Sequence, residues 1–96
     1  SESPLAMDLY IWLSREWSAL QEKGKSENSY TLHLLQEFFG CEEKSHSDFK
    51  EELVNCFHKV LPHFPGFQNN VKLFEDGEHL VLTKPKKAVV DVLNKL

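Results

Sequence analysis

The sequence predicts a mostly helical α+β domain, with three amphipathic helices, a β-hairpin and a closing helix. Three observations predict it. Apolar residues recur at helical spacing in separate stretches. The dipeptide Asp76-Gly77 lies between two short apolar runs. Pro and Gly punctuate the chain where these patterns stop. The 96 residues suit one domain, 1–96, and the 41% hydrophobic content can fill one core without a metal or disulfide staple.

The elements follow in order. Ser3-Pro4 opens the first helix, Ser as a cap and Pro at a position that needs no donor. Leu5, Leu9, Leu13 and Trp17 repeat at i+4, with Trp12 and Leu20 beside them and Asp8, Arg15, Glu16 and Glu22 mostly opposite. Gly24 stops this helix, and residues 23–29 read as a polar loop. Tyr30-Thr31 reads as a very short strand or as the entry to a second helix. That helix carries Leu32, Leu35, Phe38 and Phe39 and ends at Gly40. Residues 41–47 form a polar connection, and Asp48 with Glu51 has capping-box spacing. The third helix presents Phe49, Leu53, Cys56, Phe57, Val60 and Leu61, and Pro62, Pro65 and Gly66 end it. Val71–Phe74 and His79–Thr83 flank the turn Glu75–Glu78 as a hairpin. Pro85 reopens a helix with Ala88, Val89, Val92, Leu93 and Leu96 on its apolar face. Three helices followed by a two-stranded wing describe a winged helix-turn-helix. Three short helices leave a core open on one side, and the hairpin covers it. A plain helical bundle decorated by a hairpin is the rival.

The net charge of −4 argues against strong nonspecific DNA binding, because phosphate contacts need a basic excess. Residues 1–69 hold 11 acids and 6 bases, whereas residues 70–96 hold 4 acids and 5 lysines. An anion-facing surface is therefore expected in the last third, at Lys72, Lys84, Lys86 and Lys87. Two cysteines do not make a disulfide framework, so a reducing compartment, cytoplasmic or nuclear, is expected. No apolar run reaches the ~18 residues of a membrane span, and no signal peptide is read at the N-terminus. Leu96 falls inside an apolar pattern, which suggests a piece of a longer protein.

No constellation carries catalysis. Cys41, His46, Cys56, His58 and His63 lack paired zinc-ligand spacing. Cys56 and His58 point about 200° apart on a helix and cannot share an ion. Cys56 sits among core positions, as a buried thiol rather than a nucleophile. Glu42-Glu43 and Glu51-Glu52 read as solvated or dipole-stabilising charges rather than an acid/base pair. Neither GxxxxGK[ST] nor GxGxxG occurs. The expectation is a non-enzyme with no metal, no cofactor and no small-molecule substrate.

Two binding surfaces compete. Thr83-Lys-Pro-Lys-Lys87 offers phosphate contacts from the wing edge, or is a solvated turn. Glu51 and Glu52, read as first-turn acids of the third helix, would repel phosphates, so major-groove reading by that helix is not expected. Phe64 and Phe67, in the turn before the hairpin, either fold back on the core or present an apolar patch to a partner helix or peptide.

The stretch from Phe49 to Phe57, the wing Val71-Lys-Leu-Phe-Glu-Asp-Gly-Glu-His-Leu-Val-Leu-Thr83 and the terminal helix together resemble the winged-helix modules called LOTUS or OST-HTH domains, over residues 48–96. That family's aromatic-Gly segment ahead of its third helix is missing from Cys41-Glu-Glu-Lys-Ser-His46. The resemblance implies a non-catalytic module of a larger RNA-regulating protein, binding RNA or a DEAD-box helicase. The leading expectation is RNA-phosphate contact by the lysine edge. The alternative is a protein–protein adaptor domain.

Overall fold

The computed structural model describes residues 4–22 and 26–84. Among them run helix α1 (Pro4–Glu22), strand β1 (Glu27–Thr31), helix α2 (Leu32–Phe38), helix α3 (His46–Val60) and strands β2 (Val71–Leu73) and β3 (His79–Thr83). The domain is α+β: three helices packed with a three-stranded antiparallel sheet. Ser3, Gly24 and the expected closing helix from Pro85 to Leu96 lie outside the described residues.

Apolar burial decides where the helices sit. Leu5, Leu9, Leu13 and Leu20 of α1 meet Phe49, Leu53, Phe57 and Val60 of α3 in one core. Each such side chain withdrawn from water contributes ~1.5–3 kcal/mol. The α3 residues recur at i, i+4, i+8 and i+11, which holds one stripe inward for the length of the helix.

The caps set the helix ends. The Thr31 hydroxyl accepts from Leu34 N at 3.1 Å and starts α2. Gly40, at φ +68°, closes it in a Schellman motif: Cys41 N donates to Gln36 O at 2.9 Å and Gly40 N to Glu37 O at 3.1 Å. For α3 the structure corrects the expected start. Ser45, not Asp48, is the N-cap, its Oγ accepting from Asp48 N at 3.2 Å. Ser45-x-x-Asp48 has the spacing of the later Asp48-x-x-Glu51, and Ser45 takes the helix in one turn earlier. Glu51 and Glu52 therefore belong to the second turn, and Asp48 is the first-turn acid. After α3, two single 3₁₀ turns, Leu61–His63 and Pro65–Phe67, steer the chain to β2.

The hairpin forms at the expected place, but it is not a two-stranded flap. β3 is the central strand, in the order β1-β3-β2. β1 pairs with it from Glu27↔Thr83 to Thr31↔His79, and β2 pairs from Val71↔Leu82 to Leu73↔Leu80. Tyr30-Thr31 is thus the end of a strand of 5 residues. Glu16 of α1 fastens it: its Oε2 accepts from Asn28 Nδ2 at 2.9 Å, and its Oε1 accepts from the Tyr30 hydroxyl. Burial, then the Glu16 hydrogen bond and charge, push the Tyr30 phenol far above its usual range.

The hairpin tip is locked by Asp76. Its Oδ1 accepts from Glu78 N at 2.8 Å and His79 N at 2.7 Å, and its Oδ2 meets His79 Nδ1 at 2.7 Å. The two backbone donors, then the imidazole, hold the Asp76 carboxyl down at about 2, from an ordinary 3.8. An acid depressed by folding stabilises the fold above its unfolded pKa, and that contribution fades as pH falls from about 3.8 through about 2. Asp76→Asn is expected to flatten the pH dependence of stability across this window in denaturant titrations. An unchanged slope contradicts the role of the tip.

Candidate functional site

The residues singled out in the sequence do not gather at one place. Lys72 pairs with Val81, so alternation puts its side chain on the face opposite Leu80 and Leu82. Lys84 follows the end of β3, its N–H donating to Ser26 O at 2.8 Å. Of the four lysines, Lys72 thus lies in the edge strand β2 and Lys84 just past the central strand β3, and Lys86 and Lys87 lie outside the described residues.

Phe67 is fully buried, with its ring edge-on to Trp17 at 4.9 Å. A partner cannot reach it without opening the core, so Phe67 is a core residue rather than a contact. Phe64 is half-buried beneath Tyr10, with ring centroids 5.1 Å apart. Of the two readings of this turn, Phe67 follows the one in which the rings fold back on the core, and Phe64 follows it only in part.

The outward side of α3 is acidic. Asp48, Glu51, Glu52, Asn55 and Lys59 border a shallow, open depression of about 330 Å³. Lys44, from the preceding loop, is engaged by Glu52. The Cys41 thiol is pushed up, chiefly by burial, with Lys44 opposing the shift. A raised thiol is a poor nucleophile. His33 stacks on His46, with ring centroids 6.2 Å apart, and pairs with Glu37 at 2.9 Å. Among the described residues, no group of three or more His, Cys, Asp or Glu is placed to hold a metal ion, and no helix is long and apolar enough to cross a membrane.

The surface that stands out is α1. Met7, Tyr10 and Ile11 are exposed at 57%, 45% and 48%, and Phe38 of α2 at 61%. Helical spacing explains the placement. Leu5, Leu9 and Leu13 point inward, and Met7 and Ile11 are offset from that stripe by about half a turn. Ile11 is a ridge between two clefts. The first, of about 260 Å³, is walled by Met7, Tyr10, Val60 and His63. The second, of about 250 Å³, is walled by Asp8, Trp12, Phe38 and Phe39. The floor of the second is fixed, because Trp12 lies edge-on to both Tyr30 at 5.2 Å and Phe39 at 5.7 Å. Both are open and smaller than the ~300–1,000 Å³ of small-molecule sites, a size suited to single side chains.

The sequence reading missed this face because it assigned the side of α1 away from the leucines to Asp8, Arg15 and Glu16. The signal was present: Met7, Tyr10 and Ile11 give α1 more apolar residues than one inward stripe can hold. Comparison with family models, with curated proteins and with solved structures finds no match to this chain.

Proposed function

We propose that this chain is a non-catalytic winged-helix module that binds a protein partner through the apolar face of α1. The order α1-β1-α2-α3-β2-β3, with β1 brought beside β3, supports the winged-helix reading. The observation that carries the function is the exposed set Met7, Tyr10, Ile11 and Phe38 around two preformed clefts. Exposed apolar groups clustered this way mark interaction surfaces. The acidic outer side of α3 agrees with a protein partner, since it faces the direction from which a winged helix meets nucleic acid. Contact with RNA needs Lys72, Lys84, Lys86 and Lys87 on one edge; of these, Lys72 lies in the edge strand β2 and Lys84 follows the central strand β3. A helicase, the protein partner implied by the LOTUS resemblance, is compatible with this reading.

The test is photo-cross-linking in cells from a benzophenone amino acid at position 11, compared with position 72. A protein adduct from position 11 is expected. An adduct from position 72 that nuclease removes, with none from position 11, overturns the reading.

A further inference from the structure

The next inference rests on that reading of the α1 face and names the partner. Asp8 and Arg15 are both exposed, and both border the second cleft together with Ile11. On an α-helix, residues i and i+7 stand on one side, ~10.5 Å apart along the axis. Asp8 and Arg15 have that spacing, with Ile11 near the midpoint between them. Among the described residues no ion pair engages either charge. The surface around the second cleft is thus an apolar centre with an acid at one end and a base at the other.

Such a surface is its own complement. A two-fold axis across α1, between positions 11 and 12, lays a second α1 antiparallel over the first. Ile11 then meets the Ile11 of the other copy. Asp8 of each copy comes over Arg15 of the other, so two opposite-charge pairs flank one apolar contact. A parallel arrangement sets Asp8 on Asp8 and Arg15 on Arg15 and is repelled at both ends. The placing of opposite charges evenly about Ile11 is what singles out a second copy among protein partners.

We propose that the α1 face is the two-fold interface of a homodimer of this chain, with α1 packed antiparallel on α1 about Ile11. Phe38, on the α2 side of the same cleft and 61% exposed, extends the apolar contact. Apolar burial supplies the affinity, and the two charge pairs fix the direction. Met7, Tyr10, Ile11 and Phe38 make a small contact, so the dimer is weak and reversible.

Sedimentation equilibrium of the purified chain tests this with two charge reversals, Asp8→Arg and Arg15→Asp. Both positions are exposed, and the melting temperature of each variant checks that it folds. The unchanged chain is expected to dimerise as its concentration rises. Either reversal alone sets like charges against each other at both ends and is expected to weaken self-association about tenfold or more. An equimolar mixture of the two variants restores opposite charges at both ends, and is expected to form a mixed dimer at least as tightly as the unchanged chain. A partner of other sequence predicts no such recovery. A chain that stays monomeric up to about 1 mM overturns the homodimer. In that case a protein adduct of another mass from position 11 leaves the docking face standing, and the absence of any adduct brings down both. A dimer that neither reversal weakens, or a mixture that associates no better than the single variants, overturns the antiparallel pairing about Ile11.

Discussion

Phe57→Ala is expected to cost about 3–5 kcal/mol of folding stability, the range for deleting a fully buried aromatic ring. Phe57 has no exposure and lies mid-core with Phe49, Leu53 and the α1 leucines. The loss has two parts, the lost transfer free energy of the ring and the cavity left between helices that relax only partly. Domains of this size have ~5–15 kcal/mol in total, so the variant is expected to stand near the edge of folding. Its melting temperature is expected to fall by on the order of 20 °C. Phe38→Ala, on α2, is the control: its ring is 61% exposed and should change stability by less than about 1 kcal/mol. Equal losses for both variants, measured by thermal and denaturant unfolding, contradict the packing described here.

Leu80→Ala is expected to cost about 2–5 kcal/mol, and Val81→Ala about 1 kcal/mol or less. Leu80 is fully buried in the central strand, between Tyr30 of β1 and Leu73 of β2. Val81, the next residue, stands on the other face between Ser29 and Lys72 and is only partly buried. A register shifted by one residue exchanges these environments and with them the two costs. The ratio of the two losses therefore reads the strand register directly. A larger loss for Val81→Ala contradicts the pairing.

Local signals were legible where they were self-contained. The Asp76-Gly77 turn, the Phe49–Leu53–Phe57 stripe and the Gly40 stop can each be read within a few residues, and each stands where the sequence placed it. β1 was only half legible. Glu27-Asn-Ser-Tyr-Thr31 is polar and short, and it becomes a strand because β3, some fifty residues later, offers it backbone partners and Glu16 holds its side chains. The start of α3 was placed one turn late, because Asp48-x-x-Glu51 has the same spacing as the Ser45-x-x-Asp48 that caps the helix.

The candidate site was legible least. The sequence weighed charge, and so favoured lysines that are near one another in the chain. In the fold Lys72 falls in the edge strand β2, whereas Lys84 follows the central strand β3. Phe64 and Phe67, three residues apart, go to different depths because the Pro65–Phe67 turn drives the second ring against Trp17. The α1 face needs the packing of α2 and α3 before it can be seen. Only then is it clear which apolar residues of α1 the core has left over.

Those leftover residues carry the functional account, and the pair of photo-cross-linkers tests it most directly. Placed at position 11, the benzophenone sits on the ridge between the two clefts. At position 72 it sits on the polar face of the sheet, amid the surface that RNA contact would use. The account predicts a discrete protein adduct from position 11 that survives nuclease and is lost when Met7→Glu and Phe38→Glu are introduced together. A nuclease-sensitive adduct from position 72, with position 11 silent, contradicts it.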